Sequence, residues 1–383
     1  MPPSTAPGSD TTWPRVLARR SRRHFLTGPP AATPHEVAER LLGVQAQVPS
    51  CAEEAVAVRG PAPTTVRAEL AEGTLLRTWA ARGTLHLLTA DAAPAQLALL
   101  AAARTWEKGA WQRQFATAAE IGRLAELVAT ILPGRSLTRD ELVAELDRHV
   151  TPELAERLGS GWGTLLKPLA WQGLIVNGEP RGSRPTFTDP ATWTGRPFVL
   201  PATDEAARLL VPAYLDVFGP ASPTAFDAWL LRGGTRRPTL RRWFAELVED
   251  GVIAPVTVHD DERTDTGGEQ RYARVADLDE LADPHDTDPH DTDDEQVRLL
   301  PAFDQWVLGP GTGEAAVLAP RHRARVSRAA GWIAPVVVHR GRIVGTWEDE
   351  DTEPEWFDGE RLPSAGALAT ERERRRRLLA ARR

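Results

Sequence analysis

Apolar positions recur at helical spacing in pairs of segments, and each pair runs into a stretch that alternates with period two. The unit occurs three times. In the first copy residues 13–25 form an amphipathic, arginine-rich lead helix. Thr33-Pro34-His35-Glu36 then predicts a helix start: Thr33 caps, Pro34 takes the first helical position and Glu36 reaches back, with Val37, Leu41 and Leu42 on one face. A helix over 65–71 ends near Gly73, and residues 75–89 alternate as a hairpin around Ala81-Arg82-Gly83. The second copy opens on a capping box, Thr138-Arg139-Asp140-Glu141. It continues through a helix over 163–172, in which Pro168 is a kink or an early-turn residue, and ends in a hairpin that turns at Asn177-Gly178. In the third, Ser222-Pro223 starts one helix, residues 239–250 form another, Gly251 breaks it and a strand begins at Val252.

Two helices followed by a hairpin is the winged-helix plan, so the expected fold is α+β: three tandem winged-helix units and a small C-terminal β-barrel or sheet. The boundaries are a disordered leader (1–12), winged helices over 13–118, 119–203 and 204–275, an acidic loop (276–296), a β-rich domain (297–360) and an arginine-rich tail (361–383). The β-rich domain carries a hairpin turn at Arg340-Gly341. The tail reads equally as a solvated helix or as an arm on phosphates.

Charge changes this picture. The chain is −7 overall, but residues 276–295 hold ten acidic side chains and no Lys or Arg, so the remainder is slightly basic. That stretch lacks the apolar surface to offset its ordering entropy. Its repeated PHDTD pattern, with His285 and His290, reads as a loop repeat rather than a metal tract. Of 46 basic residues only Lys108 and Lys167 are lysines; GC-rich coding accounts for much of that bias, and arginine also suits forked contacts to phosphate. A single cysteine, Cys51, rules out an internal disulfide framework. No apolar run spans a bilayer and no signal peptide opens the chain, so a cytoplasmic, non-membrane protein is expected.

Familiar phosphate-loop, dinucleotide, serine-hydrolase and zinc-protease motifs are absent. The polar pair Gln45 and Gln47 follows an apolar helix end and precedes Pro49, which disfavours helix at Val48. In extended chain the two amides converge and can hold one water; a satisfied helix cap is the plainer alternative. Arg77, Thr78, Arg82, Thr84 and His86 lie on the first hairpin, where Arg and Thr suit phosphate contacts. His86 could equally be a ligand, a base or a satisfied strand histidine. Residues 13–24 and 232–243 each hold five Arg and no acid, the latter including Arg236 and Arg237, and residues 321–328 hold four. Several such clusters beside helix–turn–helix units favour nucleic acid.

These segments resemble the bacterial tandem winged-helix DNA glycosylases of the AlkZ/YcaQ type. GVQAQ (43–47) is similar to the family's Gln-x-Gln signature, and LLRTWAARGTLHLLTADAAP (75–94) to its R-T-W-x-x-R-G-T-x-H block. LLPAFDQWVLG (299–309) with VVVHRGRIVGTW (336–347) resembles its C-terminal block, although Gln305-Trp306 stands where Glu-Tyr is common. The resemblance covers roughly residues 13–349. It implies a cofactor-free, metal-free, monomeric enzyme whose winged helices and barrel surround double-stranded DNA. Gln45 and Gln47 would then place water at C1′ of an N7-alkylated or crosslinked purine, with Arg82 nearest the lesion and His86 on a phosphate or on developing charge. Gln rather than Asp at the second motif position points to the branch associated with self-resistance to alkylating natural products. Two other readings fit the residues: a non-catalytic winged-helix regulator, and a drug-sequestering protein that stacks ligands on Trp106, Trp111, Trp162 and Trp171. Those tryptophans also read as core.

Overall fold

The computed structural model describes residues 9–62, 65–159, 163–259, 269–282, 296–349 and 351–380. The fold is mixed α+β and divides into two compact units. One comprises Met1–Val66, Val211–Trp229 and Arg236–Arg383; the other comprises Arg67–Leu210 and Leu230–Thr235. The first sequence copy therefore contributes its early helices to one unit and its hairpin to the other.

In the second unit Leu75–Trp79 pairs antiparallel with Leu85–Thr89, as the alternation predicts. On its other edge it meets Val176–Arg181 through Arg77 opposite Asn177. That strand pairs with Arg184–Thr188, which in turn pairs with Leu137–Thr138. The hairpins of copies one and two thus share one sheet. The second hairpin turns at Gly182-Ser183, not at Asn177-Gly178: Arg181 pairs with Arg184 and Gly182 supplies a φ of +65°. Asn177 and Gly178 lie within the strand, held by their cross-strand partners Phe187 and Thr186. The capping box holds as read, with Thr138 and Glu141 satisfying each other's backbone N–H ahead of helix Arg139–Asp147. Pro168 sits in the first turn of Lys167–Trp171 and kinks nothing. Trp106 and Trp171 are buried in this unit, 6.1 Å apart, as core residues; Trp162 lies outside the described residues.

In the first unit the lead helix is Trp13–Arg23. Part of the expected leader is ordered: Ser9–Thr12 is a strand, parallel to Ile253–His259, which also pairs with Arg271–Arg274. Residues 1–8 lie outside the described set. The acidic segment also needs correction at its start. Leu278–Ala282 is a short helix whose Leu281 is buried and whose Leu281 carbonyl accepts a 2.7 Å bond from the Thr11 hydroxyl. Residues 283–295, with His285 and His290, are outside the described set.

The C-terminal strands form an open sheet, not a closed barrel, in the order Val297–Leu300, Val336–His339, Arg342–Thr346, Glu355–Trp356. Arg340 and Gly341 make the expected two-residue turn with φ of 52° and 76°. A side chain at 341 would lie 2.6 Å from the Leu17 Cβ of the lead helix, so glycine serves both the turn and the close approach. The block around Asp304 is not all strand, because Asp304 accepts from the Trp306 N–H at 2.8 Å and caps helix Gln305–Leu308.

Candidate active site

The glutamine pair sits in a short extended link between two helices. Thr33 caps helix Pro34–Arg40 by accepting from the Glu36 N–H at 3.1 Å. Glu36 reaches one residue further back than the capping-box pattern, to the Ala32 N–H at 2.8 Å. The helix ends on Leu42 in the left-handed region (φ 55°), a conformation that costs a non-glycine residue roughly 1 kcal/mol. Gly43 (φ 106°) donates to the Ala38 carbonyl at 2.7 Å and closes the helix end. Val44–Gln45 is then a strand, the chain bends at Gln47 and Val48, and helix Pro49–Ala57 begins. Val48 is extended (φ −114°, ψ 106°), as a residue before proline should be.

Gln45 is 6% exposed, whereas Gln47 is exposed to solvent. The pair therefore straddles the surface: Gln45 is buried in protein and Gln47 faces solvent. Neither amide carries charge, so the pair can orient a polar molecule but is a poor proton acceptor.

The first hairpin gathers the second set of candidates. Its tip is a tight turn in which Gly83 donates to the Ala80 carbonyl at 2.8 Å and Ala80 to the Thr84 carbonyl at 3.0 Å. Arg82 is left-handed there (φ 57°) and partly exposed. Arg77 is half-buried, and desolvation lowers its guanidinium pKa. Thr84 donates to the Ala81 carbonyl at 3.1 Å, within the tip.

Two residues of the hairpin do not serve as expected. Thr78 is fully buried and donates to the Ile175 carbonyl at 3.3 Å, so it is a core residue and not a phosphate contact. His86 is 1% exposed, and its Nδ1 meets the Thr84 carbonyl at 3.0 Å, which makes Nδ1 the protonated nitrogen. Burial and then the nearby Arg82 charge push its pKa down to about 3, so it is neutral in the free protein. Arg236 and Arg237 are exposed at the start of helix Arg237–Glu249.

Lys167 was not among the candidates read from sequence. Its Nζ lies 4.0 Å from where a Cβ on Gly83 would stand, directly under the hairpin tip. Burial, then the Arg232 charge, lowers its ammonium pKa. Its rarity was the available signal: one of two lysines in a chain otherwise basic through arginine.

Among the described residues no group of three His, Cys, Asp or Glu side chains could hold a metal. None of the described helices is long and apolar enough to cross a membrane.

A buried-and-exposed amide pair and a basic hairpin are parts expected of an enzyme that works on DNA, and a profile of AlkZ-like DNA glycosylases matches residues 38–380. The chain belongs to that family and is a DNA glycosylase, a hydrolase of N-glycosidic bonds. It is 45% identical over 362 residues to the interstrand DNA cross-link repair glycosylase of Streptomyces sahachiroi, covering 92% of each protein. The solved structure of the Streptomyces sahachiroi DNA glycosylase AlkZ matches with a TM-score of 0.87 and 42% identity, over 97% of each chain.

Proposed function

We propose that this enzyme excises N7-alkylated purines, interstrand crosslinks included, and that Gln45 and Gln47 orient the attacking water. Alkylation at N7 leaves the base cationic. As the C1′–N9 bond breaks, the base takes the bonding electrons and becomes neutral, the sugar gains oxocarbenium character, and water adds at C1′ and loses a proton to solvent. Departure is already easy, so strong base catalysis is not needed and holding water in line is the main task. The observation that carries this reading is the split exposure of the pair on one extended link, with Gln45 buried and Gln47 exposed. The cross-link repair relative supports the substrate class, and self-resistance to a DNA-alkylating compound is the biological setting we infer.

Arg77, Arg82, Thr84, Lys167, Arg236 and Arg237 make up the proposed contact set for duplex DNA, where cations supply most of the affinity. We read the three helix-plus-hairpin copies as tandem winged helices and the enzyme as a cytoplasmic monomer. The test is excision of N7-methylguanine from duplex DNA, scored as abasic sites. By analogy with removal of an oxyanion-hole donor, Gln45→Ala and Gln47→Ala should each slow the reaction by roughly 10²-fold or more. Wild-type rates in both would end the assignment.

A further inference from the structure

The helix that follows the glutamine motif is held from behind by the C-terminal arginines. We propose that the C-terminal helix Ala365–Ala380 is an internal brace that sets the position of Gln47, with Arg374 and Arg375 as positioning residues. The proposal rests on the glutamine reading above. Helix Pro49–Ala57 begins two residues after Gln47, so a displacement along or about its axis moves that amide.

Three arginines fix this helix. Arg375 pairs with Glu54 on its middle turn, their side chains 3% and 18% exposed. Arg374 Nη1 donates to the Val58 carbonyl at 3.1 Å, placing a cation at the helix C-terminus where the macrodipole favours it. Arg59, just beyond the helix, donates to the Ala55 carbonyl at 2.6 Å and makes a fully buried forked pair with Asp304 at 2.8 Å for each bond. At the other end Val48 and Cys51 pack against the core containing Leu300, Phe303 and Trp306.

The brace is itself anchored. Glu371, 2% exposed, accepts from the Leu299 N–H at 3.1 Å and from Arg374 at 2.6 Å and 2.9 Å. Arg375 donates to the Leu299 carbonyl at 3.2 Å and lies over the Trp347 ring at 4.4 Å. Leu368 is buried with Val297, Val337 and Val344. Of the two sequence readings of this tail, a wholly solvated helix fails because one face of it, Leu368, Glu371 and Arg375, is buried. The phosphate arm fails for Arg374 and Arg375 because their guanidinium groups are committed inward.

A misplacement of about 1 Å can cost a catalytic group on the order of 10²-fold, so loosening the brace should lower rate and spare binding. The experiment compares the full-length enzyme with Arg374→Ala, Arg374→Lys, Glu54→Gln and Gln47→Ala. It measures the single-turnover rate on N7-methylguanine duplex, the Kd for that DNA across salt concentrations, and hydrogen exchange at amides 44–51. Arg374→Ala and Glu54→Gln should lose at least tenfold in rate at saturating DNA, keep the Kd and its salt slope, and exchange faster at 44–51. Arg374→Lys, which keeps a donor for the Val58 carbonyl, should recover most of the rate. A weaker Kd with a shallower salt slope and an unchanged saturated rate would overturn the brace in favour of a DNA-contacting arm. Unchanged rates in Arg374→Ala and Glu54→Gln beside an inactive Gln47→Ala would overturn the brace alone. A fully active Gln47→Ala would remove the glutamine reading and the brace with it. If Arg374→Ala fails to fold, Glu54→Gln, which alters only a partner group, decides the question on the same readouts.

Discussion

Two windows of this chain are alike in sequence and opposite in structure. Residues 13–24 and 232–243 each hold five arginines and no acid. In the lead helix Arg19 and Arg20 are 1% and 2% exposed. Arg19 meets Asp277 at 2.7 Å, Glu280 at 3.0 Å and Asp216 at 3.4 Å. Arg20 donates to the Pro220 carbonyl at 3.1 Å, and Arg22 and Arg23 both reach Glu280. In the other window Arg232, Arg236, Arg237 and Arg241 are exposed, and Arg242 pairs with Glu246, one helical turn on, at 2.9 Å. The first group of cations holds the fold together. The second group crowds a helix N-terminus, where the macrodipole disfavours positive charge, an arrangement that gains from an anion such as DNA phosphate. A basic run therefore marks a nucleic-acid surface only when the carboxylates that could neutralise it are elsewhere.

Breaking the buried side of this contrast should have the largest effect. Asp277→Ala removes the most buried carboxylate from Arg19, Arg23 and Arg274, leaving them Asp216 and Glu280, and should cost about 3 kcal/mol in urea unfolding. An unchanged urea midpoint would mean that the ion cluster does not secure the lead helix. On the exposed side, Arg236→Ala with Arg237→Ala should leave stability within about 0.5 kcal/mol. The same pair should reduce the slope of log affinity against log salt by about 1.8, near 0.9 per lost phosphate contact. A slope equal to wild type would remove both residues from the DNA interface.

The smallest expected effect is on acid stability. Burial alone would raise the Asp277 pKa, but the hydrogen bond from Arg274 and the charges of Arg19, Arg274 and Arg23 reverse this and hold it below 3.8. For Glu280, burial is likewise outweighed by the Arg22 hydrogen bond and the arginine charges, which hold it below 4.5. With folded values below unfolded ones, both carboxylates contribute fully above about pH 4.5 and progressively less as pH falls through the folded values. The urea-midpoint gap between wild type and Asp277→Asn should therefore narrow between pH 7 and pH 3. The arginine variants at 236 and 237 should show no such trend.

Local signals were legible wherever the cause was local. Thr138 and Glu141, Gly251, Arg340-Gly341 and the alternation around Arg77 and Leu87 all encode their own geometry. Helix Pro49–Ala57 was missed because PSCAEEAVA is mostly small residues without a clear apolar stripe; it forms against the core that receives Val48 and Cys51. Asn177-Gly178 looked like a turn, yet pairing on both edges of its strand outweighed that preference. The Gln45–Gln47 link was readable from Pro49 alone. The burial of Thr78 and His86 depends on what covers their face of the sheet, and the fate of each arginine on acids far away in sequence.

The strand Ser9–Thr12 has a practical meaning for anyone trimming this protein. The family match begins at residue 38 and invites cutting before it. Removing the first dozen residues would uncover the backbone edge of Ile253–His259 and leave it open to pairing with other chains. Such a shortened protein should clump on concentration.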